Sequence, residues 1–173
     1  MFISGGLWWL VAQMFTPNPK KQGGSGAMPG FYGNYMHTLD AKNRVFVPAK
    51  LRSELGETFY VTRKLTKKAL AVYSPEGWER LQQKLSEHPD TKVGNLKMFL
   101  FSHSISATPD GQGRILLPPD LTEYAGITKE VTFVGVGDHL LIYASDVWRA
   151  EEAEQAKLAN KEEMCLVMSE IGL

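Results

Sequence analysis

The feature that most constrains the fold of this chain is an internal repeat, in which each matched residue has a counterpart 70 positions later. The clearest match is between "HTLDAKNRVFVPAKL", which begins at His37, and "ATPDGQGRILLPPDL", which begins at Ala107. Identical pairs continue in the same register, at Thr38 and Thr108, Asp40 and Asp110, Arg44 and Arg114, Pro48 and Pro118, Leu51 and Leu121, Gly56 and Gly126, Thr58 and Thr128, Val61 and Val131, Thr62 and Thr132, Leu70 and Leu140, Tyr73 and Tyr143, and Trp78 and Trp148. Each copy is too small to bury a good core alone, and two copies are too few for a solenoid. We therefore expect two similar halves packed about a pseudo-twofold axis.

Both halves predict the same order of elements: a short strand, a turn, an apolar strand, a helix, a β-hairpin and a second helix. The apolar strand covers Val45–Val47 or Ile115–Leu117, and the following proline, Pro48 or Pro118, ends the strand and favours a helix start. The hairpins are "TFYVTRKL" with "ALAVYS", and "EVTFVGV" with "HLLIYA". Strands and helices in this order predict an α+β fold.

Local signals predict where the helices begin and end. Leu51 and Leu55 are four residues apart, so they lie on one face of the first helix. Gly56 is placed for a left-handed C-cap. Ser74 is predicted as the N-cap of the second helix, and Trp78 within that helix is predicted as a core anchor.

Composition excludes some classes of site and leaves others open. The chain has 173 residues and one cysteine, so an internal disulfide is excluded, and its four scattered histidines do not predict a zinc site. No cofactor is expected. The formal net charge is zero, but residues 31–70 carry eight basic against three acidic residues, whereas 101–143 carry two against five. Such asymmetry hints at one face that meets nucleic acid.

Composition also divides the chain into segments. The opening "MFISGGLWWLVAQMF" is apolar but too short to span a bilayer, and "TPNPKKQGGSGAMPG" is typical of a linker. We expect residues 1–27 to be an extension outside the fold, disordered or not native; the alternative is a membrane-surface anchor that uses Trp8 and Trp9. The expected division is 1–30 extension, 31–80 first repeat, 81–100 linker, 101–150 second repeat and 151–173 C-terminal helix.

The repeated Asp–Arg segment predicts a rigid loop in each half. Asp at the first position of a type I turn accepts local backbone N–H groups, and such a hairpin then needs one left-handed residue. Asn43 and Gly113, which tolerate that conformation well, stand at that position. Asp40, Asp110 and Gly113 are therefore predicted to shape the loops, and Lys42, Asn43, Arg44, Gln112 and Arg114 to contact DNA. The alternative role for aspartate and arginine is simply to pair across the turn.

The segments "YMHTLDAKNRVFVPAKLRSELGETFYVTR" and "DGQGRILLPPDLTEYAGI", followed by "VTFVGVGDHLLIY", resemble the two tandem halves of the MraZ family. These are bacterial transcriptional regulators of the division and cell-wall gene cluster, in the AbrB/SpoVT-like swapped-hairpin superfamily. The resemblance covers about residues 31–150, and the doubled D-x-x-x-R is its most specific mark. It implies two swapped-hairpin halves forming a pseudo-twofold β-barrel with short helices, plus a C-terminal helix.

The resemblance also implies a function. A member of this family would be cytoplasmic and nucleoid-associated, form a ring-like homo-oligomer, and bind double-stranded DNA at repeated promoter elements through its D-x-x-x-R loops. The second copy departs toward lower basicity, since Pro119 and Asp120 replace Ala49 and Lys50. From the sequence charge we expect the loop around Arg44 to provide most of the DNA affinity.

Two other classes of protein remain as alternatives. Paired aspartates in pseudo-symmetric halves are also found in aspartic proteases, where two carboxylates share one proton. The residues here are Asp40-Ala41-Lys42 and Asp110-Gly111-Gln112, so a base lies close to one acid and favours a permanent anion; no enzyme is expected. The second alternative is an antitoxin-like or scaffold module that binds proteins without specific DNA binding.

Overall fold

The computed structural model describes residues 30–158 and 162–172, which form an α+β fold as predicted. The strands in these ranges are β1 (Asn34–Thr38), β2 (Arg44–Phe46), β3 (Phe59–Arg63), β4 (Leu70–Tyr73), β5 (Ile105–Ala107), β6 (Arg114–Leu116), β7 (Glu130–Gly135) and β8 (Leu140–Ala144). The helices are α1 (Ala49–Leu55), α2 (Pro75–Ser86), α3 (Asp90–Phe101), α4 (Pro119–Ala125), α5 (Ser145–Leu158) and α6 (Glu162–Glu170). The expectations for residues 1–27 lie outside the described residues.

The two repeats exchange strands, and the exchange joins them into one antiparallel sheet of six strands. β1 of the first repeat pairs with β7 of the second, and β5 of the second pairs with β3 of the first. β4 and β8 pair at the centre, which gives the order β1-β7-β8-β4-β3-β5. Equivalent strands therefore occupy equivalent places on the two sides of the centre, and the predicted swapped-hairpin arrangement is confirmed.

β2 and β6 form a separate two-stranded antiparallel sheet, which we call the ribbon. Its central pair is Val45 opposite Ile115, two residues at equivalent positions of the repeat. The pseudo-twofold axis therefore passes through the ribbon as well as between β4 and β8. The inner side chains of the ribbon pack in one cluster with Phe59 and Phe133 of the large sheet, so the two sheets enclose one shared core.

Helices α1 and α4 complete this core from equivalent positions. Leu51 and Leu55 of α1 are both buried, which confirms the predicted apolar face, and Leu121 and Ala125 of α4 are buried in the same cluster. Fully burying one leucine side chain contributes about 1.5–3 kcal/mol, and these side chains are buried in a cluster built from residues of both halves. The two repeats thus share a common core.

The helix ends agree with the sequence signals at one position and differ at another. The hydroxyl of Ser74 accepts a hydrogen bond from the Gly77 N–H at 3.2 Å, so the predicted N-cap of α2 is confirmed. The predicted left-handed cap at Gly56 is wrong: its φ is 84° but its ψ is −173°, whereas Gly126 has φ 66° and ψ 26°. At Gly56 the chain turns directly toward β3, in a backbone region that essentially only glycine adopts.

The residues between the two repeats are also helical. The stretch 81–100, expected as a linker, holds the end of α2 and most of α3, which pack together through Leu85, Val93 and Leu100. Trp78 is buried and stacks on Tyr60 with ring centroids 5.1 Å apart, which confirms it as a core anchor.

The second helix of the second repeat runs on into the segment expected as the C-terminal helix. α5 starts at Ser145, directly after β8, and α6 follows over Glu162–Glu170. The Ser145 hydroxyl is 2.9 Å from that of Thr132 on β7, and this buried contact holds the start of α5 against the sheet. In the parts of the chain that the structure describes, no helix combines the length and the hydropathy needed to cross a membrane.

Candidate nucleic-acid interface

Two turns of the same geometry flank the ribbon. We call residues 40–44 the first loop and residues 110–114 the second loop. In the first loop, Oδ1 of Asp40 accepts hydrogen bonds from the N–H groups of Lys42 at 2.8 Å and Arg44 at 3.0 Å. In the second loop, Oδ1 of Asp110 accepts from the N–H groups of Gln112 and Arg114, both at 2.9 Å. One carboxylate oxygen thus holds the backbone of each turn, as in an Asx turn.

Each loop closes through one residue with a left-handed backbone. Asn43 has φ 56° and Gly113 has φ 75°, and the N–H of each bonds back to the carbonyl of the loop aspartate. At Gly113 a second constraint applies, since an added Cβ would lie 2.8 Å from the guanidinium carbon of Arg52. Both conformation and space therefore favour glycine there, while asparagine suffices in the first loop.

The second carboxylate oxygen of each aspartate binds the arginine that follows. Oδ2 of Asp40 lies 2.8 Å from Nε and 2.7 Å from Nη2 of Arg44. Oδ2 of Asp110 lies 3.0 Å from Nε and 2.9 Å from Nη2 of Arg114. Pairing across the turn is therefore real, and it fixes the direction in which each half-buried guanidinium leaves its loop.

Both loop carboxylates are held in the charged form. The Arg44 backbone N–H, followed by the Arg44 side chain, lowers the pKa of Asp40 to about 2. The corresponding groups of Arg114 lower the pKa of Asp110 below its usual value. Two carboxylates that share a proton need one raised pKa, so this geometry gives no support to aspartic-protease chemistry.

The ribbon brings the two loops together on one face. Arg44 lies opposite Leu116 and Phe46 lies opposite Arg114, so these four outward side chains alternate between charged and apolar. Nη1 of Arg114 also comes within 3.9 Å of Oδ2 of Asp40, which links the second loop to the first. The arrangement offers two oriented guanidinium groups, one at each end of a short antiparallel ribbon.

Arg52 is a site residue that the sequence analysis did not select. It lies on α1 of the first repeat, yet its guanidinium packs against Gly113 of the second loop. Its Nε donates to the Val47 carbonyl at 3.0 Å, and its Cζ lies 5.7 Å from the ring centroid of Phe46. The swapped-hairpin topology is the signal that could have found it, because pairing β2 with β6 places α1 beside the other repeat's loop.

Other basic residues of the first repeat interact elsewhere. Nζ of Lys64 is 3.5 Å from Nε2 of His139, and burial lowers the pKa of this lysine. Lys67 forms an ion pair with Glu151 of α5 at 2.5 Å. Proximity in sequence therefore overstated the positive charge around the first loop, and the second loop gains Arg52. The structure brings the charges of the two loops closer to balance than the sequence indicated.

Fold and loops together define a class: two-repeat swapped-hairpin α+β proteins with an aspartate–arginine turn in each repeat. The family model described as "MraZ protein, putative antitoxin-like" matches residues 31–95 and 100–167, and the chain belongs to this family. A protein of Dictyoglomus thermophilum named "Transcriptional regulator MraZ" is 38% identical over 143 residues, which is 82% of this chain and 97% of that protein. Proteins of the same name are 40% identical in Leuconostoc citreum (73% of this chain, 90% of that protein) and 43% identical in a Thermoanaerobacter species (67% and 82%).

Proposed function

We propose that this protein is a sequence-specific DNA-binding transcriptional regulator that binds repeated promoter elements upstream of the division and cell-wall gene cluster. The observation that carries the proposal is the single face formed by the ribbon and its two loops, with Arg44 and Arg114 held in fixed orientations. The name shared by the related proteins supports the same class of activity.

The loop residues have separate roles in this proposal. Lys42 and Gln112 are exposed at equivalent loop positions, where lysine suits a phosphate and glutamine suits a phosphate or a base edge. Arg44 and Arg114 leave the loops as pre-oriented forks that match guanine edges or phosphates. Asn43 adds an amide beside Arg44, while the loop aspartates act on the backbone rather than on DNA.

The assembly is part of the proposal. One chain offers two short loops, and single DNA-binding modules bury only about 600–1,000 Å². We propose that the two repeats, 31–80 and 101–150, act as one unit, with 151–173 as a helical C-terminal segment. A ring of such units would engage several DNA repeats at once, which raises the effective concentration of each later contact. The place of action would be the cytoplasm, at the nucleoid.

Selection of genomic DNA tests the proposal. The purified protein is incubated with sheared DNA of its own genome, and bound fragments are sequenced and then titrated by fluorescence anisotropy. We expect enrichment of tandem repeats upstream of this gene, and Arg44→Ala should abolish the preference over shuffled DNA. Arg80→Ala, an exposed arginine on α2, is the matched control and should bind like the parent. Equal affinity for selected and shuffled fragments would refute the proposal.

A protein-interaction module is the second candidate function. The specific observation in its favour is the apolar surface of α6, where Met164, Leu166, Val167 and Met168 are exposed, with exposed Ile171 directly after the helix. The family description includes the words "putative antitoxin-like". A protein of this second kind would give no shift with any genomic fragment, so the same titration separates the two functions.

A further inference from the structure

We infer that the apolar side chains on the outer face of the ribbon, Leu116 and Phe46, contact thymine methyl groups in the major groove and so contribute to the choice of DNA sequence. The inference rests on the proposed function and deepens it. It assigns base selectivity to residues outside the D-x-x-x-R loops.

The geometry of the ribbon fits this role. Strands in a sheet lie about 4.8 Å apart, and the major groove is about 12 Å wide, which admits a two-stranded ribbon with its side chains. Leu116 stands opposite Arg44, and Phe46 stands opposite Arg114. Side chains opposite each other in an antiparallel pair point to the same face. An arginine that enters the groove therefore carries the neighbouring apolar side chain in with it.

Phe46 and Leu116 expose apolar surface that a thymine methyl group could cover. Leu116 is 58% exposed and Phe46 is 38% exposed, while the alternating residues Val45 and Ile115 are buried. The C5-methyl of thymine is the apolar group that the major groove presents.

Arg44 and Arg114 are each paired with a loop aspartate. The net positive charge beside the ribbon therefore comes from Lys42 and Arg52. This charge favours DNA over an apolar protein surface.

Phe46 and Leu116 differ in the side chains that pack against them. Phe46 is held by His37, whose ring centroid is 5.4 Å away, and by the Arg52 guanidinium. The counterpart of His37 in the second repeat is Ala107, and the smaller side chain leaves a shallow groove of about 290 Å³ beside Leu116. Leu116 thus has open space next to it, where a methyl group could be accommodated. It is therefore the better of the two residues for testing the inference.

The experiment uses the full-length protein and a duplex from the genomic selection, prepared in two forms. One form contains thymine, and in the other single thymines are replaced by deoxyuridine, which lacks only the methyl group. Removal of one buried methyl should weaken binding about fourfold at each contacted position. Leu116→Ala should weaken binding to the thymine duplex at least as much, and uracil at the Leu116 contact should then cost nothing further.

Met98→Ala is the matched control, because Met98 is 69% exposed on α3, outside the ribbon; it should keep the full effect of uracil. Leu116→Met, which retains an apolar tip, should recover most of the affinity.

If the parent protein binds thymine and uracil duplexes equally, the inference is overturned while specific binding still supports the proposed function. If Leu116→Ala leaves the uracil effect intact but changes the mass of the oligomer in light scattering, this face is a subunit contact and the inference is also overturned. A parent protein that selects no genomic DNA refutes the proposed function itself.

Discussion

Gly113→Ala tests how the second loop is held. At φ 75° an alanine adopts the left-handed region, which costs about 1–2 kcal/mol for a residue with a Cβ. The new methyl would also meet the Arg52 guanidinium carbon at 2.8 Å. That group is the far end of a flexible side chain, so it should move aside and lose its hydrogen bond to the Val47 carbonyl, which adds about 0.5–1.5 kcal/mol.

The expected total loss in free energy of unfolding is therefore about 1.5–3.5 kcal/mol. In a chain of this size, each kcal/mol lowers the melting temperature by about 2–4 °C. The measurement is urea unfolding followed by circular dichroism, at one fixed protein concentration because assembly changes apparent stability. Gly113→Asn should cost less than Gly113→Ala, since asparagine tolerates the left-handed region and stands at the equivalent position in the first loop.

The Arg52→Ala background separates the two causes. Without the guanidinium, Gly113→Ala should still lower the free energy of unfolding by about 1–2 kcal/mol, which is what the left-handed backbone costs. The further loss caused by contact with Arg52 should disappear. If Gly113→Ala is as stable as the parent, or if its whole effect disappears in the Arg52→Ala background, the reasoning from backbone strain is wrong.

Four further predictions concern the loops and the core. The folded pKa of Asp40 is depressed to about 2, so its carboxylate stabilises the fold above the unfolded pKa of about 3.9. This stabilisation is lost as the pH falls toward 2. The free energies of unfolding of the parent and of Asp40→Asn should therefore converge between these two pH values. In DNA titrations at pH 7, Asp40→Asn should keep more affinity than Asp40→Ala, since Asn also forms Asx turns; the reverse order would show that the charge matters more than the turn. Leu51→Ala and Leu121→Ala, at equivalent buried positions, should each cost about 2–5 kcal/mol in urea unfolding, and a cost confined to one of them would contradict the shared core. Arg44→Ala and Arg114→Ala, compared at matched oligomeric state, should each weaken the free energy of DNA binding by about 1–3 kcal/mol. If Arg114→Ala binds DNA as tightly as the parent, the first loop provides most of the affinity, as the sequence charge indicated.

Much of the local structure was predictable from the sequence because it depends on near neighbours. The turn at Asp40, the N-cap at Ser74 and the buried face of Leu51 and Leu55 involve residues at most four positions apart. The class of fold was predictable because the repeat and its register persist through both halves. At Gly56 the local signal failed, since the direction of β3 determines the backbone there and not the preference of the helix end.

What the sequence did not predict depends on which strands meet. The neighbourhood of Gly113 includes Arg52, a residue of the other repeat, because β2 pairs with β6. Lys64 and Lys67, which follow the first loop in sequence, interact instead with His139 of the second repeat and Glu151 of α5. Counting charge along the chain therefore overstated the positive charge around the first loop and missed Arg52 beside the second.

The strand exchange makes the two loops one mechanical unit. The carbonyl of Asn43 accepts a hydrogen bond from the Leu117 N–H, and the carbonyl of Gly113 accepts one from the Val47 N–H, both at 2.9 Å. Each left-handed residue is thus bonded to the strand that leaves the other loop, so neither loop can shift without moving its counterpart. Val45 and Ile115 are buried and hold the ribbon against the core. The core therefore fixes the spacing between Arg44 and Arg114. Under the proposed function, this fixed spacing would present two DNA contacts in constant register, as recognition of a defined sequence requires.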